Sequence, residues 1–292
     1  MAEQVIGLFG PTASGKSDVA AAVTALIPAD VVSADAMQVY AGVPILTNRS
    51  SHQERLVGIW PLSHIASVGE YAPLAHAAVD EILAAGGTPL VVGGTGLYFR
   101  AALAELELPP APAPGARARW ERLYDDDGAA AAHARLVELD ATAAARVHPN
   151  DRRRVVRALE LAEAGRSLVP RRETLFGGAW RHSTLVVGLD VSKPELERRI
   201  AQRTQRMFEA GVEEEVRGAL AADPSPTARK IIGLDEVATL PREQAIEALI
   251  ARTRRYAAYQ RKWLRRLEGL VMVAADRPPE ETAAEIVTLA RT

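Results

Sequence analysis

The sequence predicts an α/β fold in which helices flank a parallel β-sheet. Four short apolar runs have the continuous Val, Ile and Leu content of strands that are buried on both faces. These runs are Val5–Phe9, Ala29–Ser33, Thr88–Val92 and Leu185–Leu189. Helical patterns separate the runs, and this alternation is typical of parallel strands joined by crossover helices. Because ligands gather at the carboxyl ends of parallel strands, we expect the functional residues directly after these runs.

The first predicted strand leads directly into a phosphate-binding motif. Residues 10–17 read GPTASGKS, a complete G-x-x-x-x-G-K-[ST] pattern, and the Ala-rich segment Asp18–Ile27 then suits a helix. In this context, backbone N–H groups and the helix N-terminus converge on an anion. We therefore predict a P-loop NTPase-like sheet that binds a diphosphate or triphosphate, with Lys16 on the outer phosphate and Ser17 as a ligand of Mg²⁺. The predicted phosphate-binding residues are Gly10, Pro11, Thr12, Ala13, Ser14, Gly15, Lys16 and Ser17.

The composition excludes several classes of protein. The 292 residues include no cysteine, which rules out disulfides, thiolate catalysis and cysteine-based zinc modules. The formal net charge of −2 creates no global attraction for nucleic acid, so a nucleic-acid site would have to be a local patch. The six histidines show no metal-ligand spacing. No apolar run reaches the roughly 18 residues of a membrane span, and no signal peptide precedes the first strand, so we expect a cytoplasmic protein without a membrane partner.

A proline-rich segment interrupts the predicted core. Residues 109–114 read PPAPAP, which is typical of a stiff, extended connector, and the chain is then Ala- and Arg-rich to about His148 without a strand candidate. We predict the first part of the core at 1–108, a helical insert at 109–148 and the second, mostly helical part of the core at 149–292. A further helix should begin at an N-cap of Asn150 or Asp151 and end before Gly165. From Glu195 onward, we expect helices almost to the end of the chain.

Polar residues follow the second and third predicted strands. Asp35 comes directly after the second, where a carboxylate could hold Mg²⁺ through water, act as a general base, or serve only as a turn or N-cap residue. Residues 93–98 read GGTGLY after the third strand. Their glycines would let a ligand approach the backbone and Thr95 offers a hydroxyl, although a plain tight turn explains the pattern equally well.

Two basic segments could contact phosphate groups. Residues 151–160 read DRRRVVRALE, and Arg153 and Arg157 share one face of the predicted helix. A solvated helix face is the alternative interpretation. Residues 252–266 contain seven basic and three aromatic residues. There the stripe of Tyr256, Gln260, Trp263 and Leu267 should pack on the core, which leaves a basic outer face of the kind that an RNA backbone requires.

The phosphate loop alone also fits a small-molecule kinase. A GTPase switch is disfavoured because no base-reading motif of the N-K-x-D type is present. A motor ATPase is disfavoured because the strand PLVV ends in GGTG and not in acidic residues. On these grounds, the kinase remains open.

Five motifs, taken together in their order and spacing, resemble the tRNA dimethylallyltransferase family, also called the tRNA isopentenyltransferases. They are GPTASGKS, SADAMQVYAG, VGGTGLY, DATAAARVHPNDRRRVVRALE and TRRYAAYQRKWLRR, and the resemblance extends from Ile6 to about Leu267. The related adenylate isopentenyltransferases share the early motifs. The segment 41–49 departs from the family, which usually has Arg at the position of Ala41 and I-G-T-A-K at 45–49.

The resemblance implies a prenyltransferase. Dimethylallyl diphosphate would donate its five-carbon group to N6 of the adenine on the 3′ side of the tRNA anticodon, with Mg²⁺ as cofactor. Asp35 would take the N6 proton, while Lys16 and Arg203 would act on the diphosphate. The helical insert would grip the anticodon stem, and we expect a monomer. The residues that match tRNA contacts of the family are Asp35, Ala36, Met37, Gln38, Thr95, Arg153, Arg154 and Arg157.

Three alternatives remain: an adenylate isopentenyltransferase, a P-loop kinase, and a non-catalytic nucleotide-binding partner of RNA that has lost turnover through its departures from the family pattern. An adenylate isopentenyltransferase would use free AMP or ATP as the acceptor, although the basic helix and the insert count against a mononucleotide. A P-loop kinase would consume ATP without any prenyl donor.

Overall fold

Five parallel strands form the sheet, in a computed structural model that describes residues 4–108, 113–169 and 179–291. The strands are β1 (Gln4–Phe9), β2 (Ala29–Ala34), β3 (Thr88–Gly93), β4 (Ser183–Asp190) and β5 (Leu270–Ala274). Their order across the sheet is β2-β3-β1-β4-β5, and every neighbouring pair is parallel. The predicted α/β class is confirmed, and the first four strands coincide with the four apolar runs.

The fifth strand corrects the prediction that the chain is helical almost throughout from Glu195 onward. β5 lies at the edge of the sheet, where Val186 of β4 pairs with Leu270. Of its five residues only Val273 is buried. Its edge position does not explain why it was not predicted, because β2 lies at the opposite edge of the sheet. The apolar run of residues 270–274, LVMVA, is the signal that could have revealed this strand.

At least one helix follows every strand of the sheet. Among the described residues, no helix combines the length and the apolar character that a membrane crossing requires. The helices are α1 (Lys16–Leu26), α2 (Val68–Ala84), α3 (Gly96–Leu103), α4 (Ala116–Asp126), α5 (Gly128–Leu139), α6 (Ala141–Ala144), α7 (Arg152–Glu163), α8 (Lys193–Glu209), α9 (Val212–Ala221), α10 (Leu234–Thr239), α11 (Arg242–Leu264) and α12 (Pro279–Leu289).

Each face of the sheet has its own hydrophobic core. Val5 and Phe9 of β1 belong to a cluster that includes residues of α2, α3 and α11. Ile6 and Leu8, which alternate with them, belong to a second cluster with residues of α1 and α12. Because both faces are covered, the carboxyl ends of the strands remain as the place where a ligand can reach the sheet.

The chain divides into two compact units. The first consists of Met1–Glu105 and Leu175–Thr292, and the second of Leu106–Thr174. The second unit contains α4 to α7 around its own buried cluster, in which Leu136 and Leu159 are fully buried. The predicted insert, 109–148, lies within this unit. The unit continues beyond His148 because α7 packs against α4 and α5.

An aspartate determines where α7 begins. Asp151 is its N-cap, and the Asp151 carboxylate accepts a 3.1 Å hydrogen bond from the Arg154 N–H. α7 ends at Glu163, and Gly165 follows with a φ of 68°, a left-handed conformation that favours glycine. The predicted start and end signals of this helix are therefore both confirmed.

Candidate active site

A cavity of about 750 Å³ lies at the carboxyl ends of β1, β2 and β3. Its walls come from the P-loop (Gly10–Ser17), the turn after β2, the segment 44–49 and the helices α8 and α11. All of these parts belong to the first unit. The predicted site residues that line the cavity are Thr12, Ala13, Ser14, Gly15, Lys16, Ser17, Asp35, Met37, Gln38 and Arg203.

The P-loop turns the N-terminus of α1 toward the cavity. Gly15 is the N-cap of this helix and has a φ of 87°, which costs glycine little. Ala13 also has a positive φ of 64°, an unusual conformation for a residue with a Cβ. Because the N-cap glycine has no side chain to accept from them, the first backbone N–H groups of α1 can face an anion.

Lys16 lies across the P-loop. Its Nζ donates to the carbonyl oxygens of Gly10, at 2.9 Å, and Pro11, at 2.8 Å. Burial lowers the pKa of Lys16 to about 8; the Arg203 charge also lowers it, whereas the Asp35 carboxylate raises it. The amine is therefore largely protonated at neutral pH. A bound anion would further stabilise this buried positive charge.

Asp35 directly follows β2, in the position that the sequence predicts for a functional carboxylate. Its Oδ1 accepts a 2.8 Å hydrogen bond from the Met37 N–H, which closes a tight turn and restricts the orientation of the carboxylate. The next residue, Ala36, donates its N–H to Oγ1 of Thr95 at 3.3 Å. The turn after β2 and the loop after β3 are thereby joined beside the cavity.

Gly93, the last residue of β3, and Gly94, directly after it, have neighbours so close that no other residue would fit. A Cβ on Gly93 would lie 2.3 Å from the carbonyl oxygen of Ala34, and one on Gly94 would lie 2.4 Å from Nε2 of Gln260. Thr95 then begins α3 as its N-cap, and its hydroxyl lies 3.3 Å from that of Tyr256. The GGTG sequence thus serves contacts with other elements, and Thr95 is linked to the Asp35 turn.

Helix α8 contributes arginines at intervals of three and four residues. Nη1 of Arg203 donates to Oγ1 of Thr12 at 2.7 Å, and burial lowers the pKa of Arg203 to about 10. Arg199, which the sequence analysis missed, donates to the carbonyl oxygens of Ser14, at 3.4 Å, and Ala275, at 3.2 Å. Its position four residues before Arg203 on one helix face was the signal that could have revealed it.

The segment 44–49 is held in place by a half-buried carboxylate. Glu215 of α9 accepts hydrogen bonds from the N–H groups of Ile45, at 2.8 Å, and Leu46, at 2.7 Å. Burial raises the pKa of Glu215. From the other side, Nε2 of Gln38 donates to the Thr47 carbonyl oxygen at 3.3 Å. This segment, which belongs to the stretch 41–49 that departs from the family pattern, is therefore a wall of the cavity that hydrogen bonds hold in place.

The predicted RNA-binding arginines of α7 belong to the second unit and differ in their surroundings. Arg153 and Arg154 are exposed, and within the described ranges no hydrogen bond or ion pair of their side chains is found. Arg157 is half-buried and donates to Oε2 of Glu160 at 2.9 Å. Arg152, adjacent to them, binds both carboxylate oxygens of Asp125, at 2.7 and 2.6 Å. Contact with RNA stays a prediction for these residues.

Comparison with known proteins gives a consistent result. Residues 38–267 match the family model described as IPP transferase. A tRNA dimethylallyltransferase of Thermobifida fusca is 39% identical, over 94% of this chain and 91% of the relative. One from Streptomyces coelicolor is 40% identical, over 91% of this chain and 88% of the relative.

Solved structures agree with these matches. A eukaryotic dimethylallyltransferase acting on tRNA superposes with a TM-score of 0.82 and 25% identity, covering 99% of this chain and 78% of that one. The tRNA isopentenylpyrophosphate transferase of Bacillus halodurans superposes with a TM-score of 0.67 and 27% identity, covering 99% and 100%. The family model spans most of the chain, and relatives well above 30% identity extend over nearly all of it. The chain therefore belongs to the IPP transferase family.

Proposed function

We propose that this chain is a tRNA dimethylallyltransferase, which transfers the dimethylallyl group of dimethylallyl diphosphate to N6 of the adenine on the 3′ side of the tRNA anticodon. Membership of the IPP transferase family and the names of the relatives support this function. The observation that carries it is that the Asp35 carboxylate and the P-loop line one cavity. Such a site combines a base for one substrate with an anchor for the leaving group of the other.

The P-loop side of the cavity would stabilise the leaving group. In the proposed reaction the carbon–oxygen bond of the donor breaks, and its electron pair remains on diphosphate, which is released. The N–H groups at the start of α1, the Lys16 amine and the Arg203 guanidinium would meet this negative charge where it develops. In this function the P-loop anchors a leaving group, and no phosphoryl group is transferred.

The Asp35 side of the cavity would receive the acceptor. As N6 of adenine bonds to the allylic carbon, its proton would pass to the Asp35 carboxylate, a general-base contribution of about 10²–10⁴-fold. The turn that Met37 closes keeps this carboxylate oriented before substrate arrives. An adenine in an anticodon loop is unpaired, so moving it out of the stack costs little.

The residues present fit a Mg²⁺ ion that is held mainly by the substrate. Ser17 lies in the first turn of α1 and lines the cavity, and its hydroxyl has no hydrogen-bond partner in the described part of the chain. Three or more His, Asp or Glu side chains do not come together at any described position to hold a metal. Mg²⁺ commonly takes one or two protein oxygens together with phosphate oxygens and water. Ser17 would hold the ion, which would neutralise charge on the diphosphate.

The contacts to tRNA are proposed for two sets of residues. Ala36, Met37 and Gln38, in the turn after Asp35, and Thr95 would surround the target nucleotide. Arg153 and Arg154 would contact phosphates, since they are exposed and carry no ion pair in the ranges described. Arg157 is the weaker candidate because its guanidinium is engaged by Glu160.

Transfer of radiolabelled dimethylallyl diphosphate to unmodified bulk tRNA, with Mg²⁺, tests the proposed function. AMP and ATP are included as competing acceptors, and label is followed in the tRNA and nucleotide fractions. We expect label in tRNA alone, on an N6-modified adenosine after digestion. Label on AMP alone would identify an adenylate isopentenyltransferase. Hydrolysis of ATP or transfer of its γ-phosphate without any prenyl donor would identify a kinase, and either result would overturn the proposal.

A further inference from the structure

Both polar atoms of the Gln260 carboxamide, on α11, form hydrogen bonds in the interior of the first unit. Its Oε1 accepts a 2.7 Å hydrogen bond from the Thr12 N–H, and its Nε2 donates to the Gly94 carbonyl oxygen at 2.9 Å. Only 2% of the residue is exposed. One side chain thus connects the P-loop after β1 with the glycine loop after β3, although the three residues are far apart in the sequence.

The fit around Gln260 is tight. A Cβ on Gly94 would lie 2.4 Å from Nε2 of Gln260 and 2.9 Å from the carbonyl oxygen of Gly10. Only glycine allows the loop after β3 to come this close to both the carboxamide and the P-loop. The carboxamide is therefore held between two backbone segments and cannot rotate without losing a buried hydrogen bond.

The hydrogen bond to Thr12 leads on to the charged part of the cavity. Gln260 engages the backbone N–H of Thr12, while the Thr12 hydroxyl accepts from Nη1 of Arg203. The Nε of Arg203 is buried and has no hydrogen-bond partner in the parts of the chain that the structure describes. Gln260 thus determines the position of the residue that orients this guanidinium.

One turn before Gln260, the same helix contacts the acceptor side of the cavity. The hydroxyl of Tyr256 lies 3.3 Å from Oγ1 of Thr95, which accepts from the N–H of Ala36 beside Asp35. The two side chains are four residues apart and share one helix face. That face of α11 is in contact with the loops after β1 and β3, and through Thr95 with the turn after β2.

From these contacts we propose that Gln260 is a positioning residue, which holds the P-loop in the geometry that binds diphosphate and aligns it with the loop that adjoins Asp35. The expected effect of Gln260 on catalysis rests on the proposed function. Its expected effect on diphosphate affinity does not, because that affinity is measured without an acceptor. Gln260 lines the cavity but carries no charge, so loss of its carboxamide should weaken diphosphate binding through the position of the P-loop.

Three variants separate positioning from simple packing. Gln260→Leu removes both hydrogen bonds at similar volume. Gln260→Glu keeps an acceptor for Thr12 but places an oxygen against the Gly94 carbonyl. Ser225→Ala is the matched control, because buried Ser225 also donates to a backbone carbonyl, that of His64 at 2.6 Å, and accepts from a backbone N–H, that of Ala228 at 3.2 Å, away from the cavity lining.

Affinity for inorganic diphosphate with Mg²⁺, measured by titration calorimetry, is the first readout, and the thermal midpoint of each variant is the second. We expect both Gln260 variants to bind diphosphate at least about tenfold more weakly, the loss typical of a buried hydrogen bond left without its partner. Ser225→Ala should lower the thermal midpoint but keep its affinity within twofold. The Glu variant, which is isosteric, carries the test if the Leu variant fails to fold.

The transfer assay supplies the catalytic readout. In the Gln260 variants the KM for the prenyl donor should rise and kcat should fall, while the KM for tRNA stays unchanged. A lower thermal midpoint with unchanged diphosphate affinity and unchanged donor KM would reduce Gln260 to a packing residue and overturn the inference. If the native chain binds diphosphate but transfers nothing to tRNA, the proposed function fails, whereas the affinity comparison still decides the role of Gln260.

Discussion

Nη1 of Arg203 donates a 2.7 Å hydrogen bond to Oγ1 of Thr12, so that a cation from α8 is fixed against the P-loop. Burial lowers the pKa of this guanidinium to about 10, while the Asp35 carboxylate raises it. A buried cation is costly for the folded protein, and a bound anion would offset that cost. The contact therefore favours ligand binding over stability of the ligand-free protein.

Arg203→Gln should separate these two effects. We expect its thermal midpoint without ligand to equal or exceed that of the native chain, since a buried charge is removed. Diphosphate affinity should fall about 10–100-fold with the loss of a charge-assisted hydrogen bond. Thermal shift with and without diphosphate measures both quantities. Arg198→Gln is the control, because Arg198 is exposed and paired with Glu195; equal losses in the two variants would contradict the role of Arg203.

Asp35→Asn should abolish transfer without abolishing donor binding. The amide of the variant keeps an oxygen that can accept from the Met37 N–H, as Oδ1 of Asp35 does, so the turn should persist. The amide cannot, however, take the N6 proton. We expect transfer to fall about 10²–10⁴-fold, with diphosphate affinity reduced by no more than a few fold. A single-turnover assay measures the rate of transfer, and titration calorimetry measures the diphosphate affinity. Equal loss of binding and of transfer would show that Asp35 organises the P-loop and is not the base.

Donor binding should depend on pH through Lys16. Burial lowers the pKa of its amine to about 8, so in the free protein the charge is present below pH 8 and is lost as the pH rises above it. The value of kcat/KM for the donor should therefore decline above about pH 8, whereas kcat should decline at higher pH, because bound diphosphate stabilises the charged amine.

Lys16→Met provides the control for this pH dependence. The variant should bind the donor weakly at every pH and lose the decline near pH 8. Persistence of that decline in Lys16→Met would assign it to another group. Tyr256, although buried near the site, is excluded as the source because burial raises its pKa away from this range.

Local sequence patterns located much of this site, and contacts between distant residues explain what they missed. The P-loop and Asp35 follow buried strands, so the strand pattern alone brings them to one edge. The helical period of α11 predicts that Gln260 is buried, and the structure confirms it. Its hydrogen-bond partner Thr12, however, lies 248 positions away in the sequence. Glu215 likewise bonds to backbone N–H groups 169 and 170 positions away. No local pattern encodes such pairings.

Gly96, which packs against Trp263, should be one of the positions in the fold that tolerate an added side chain least. A Cβ on Gly96 would lie 1.9 Å from Cδ2 of Trp263, which is itself buried. Gly96→Ala should therefore destabilise the protein by about 2 kcal/mol or more, since the indole must move within a packed core. Urea unfolding measures the change. Gly218→Ala, in α9 with open space at its Cβ, should be neutral or stabilise by up to about 1 kcal/mol.

The exposed arginines of α7 should contribute to tRNA affinity through phosphate contacts. Arg153 and Arg154 have no ion pair in the described ranges, so they need not give up a protein partner to bind RNA. Replacing both with Gln should weaken tRNA binding and reduce the slope of log affinity against log salt by about one per arginine. Arg135→Gln is the control within the second unit, because Arg135 is paired with Glu138 on the exposed surface of α5. Filter binding from 50 to 300 mM salt, about the range over which phosphate contacts weaken strongly, gives the slopes. An unchanged slope in the double variant would show that these arginines of α7 do not contact RNA phosphates. An equal change of slope in Arg135→Gln would show that the effect comes from net charge alone.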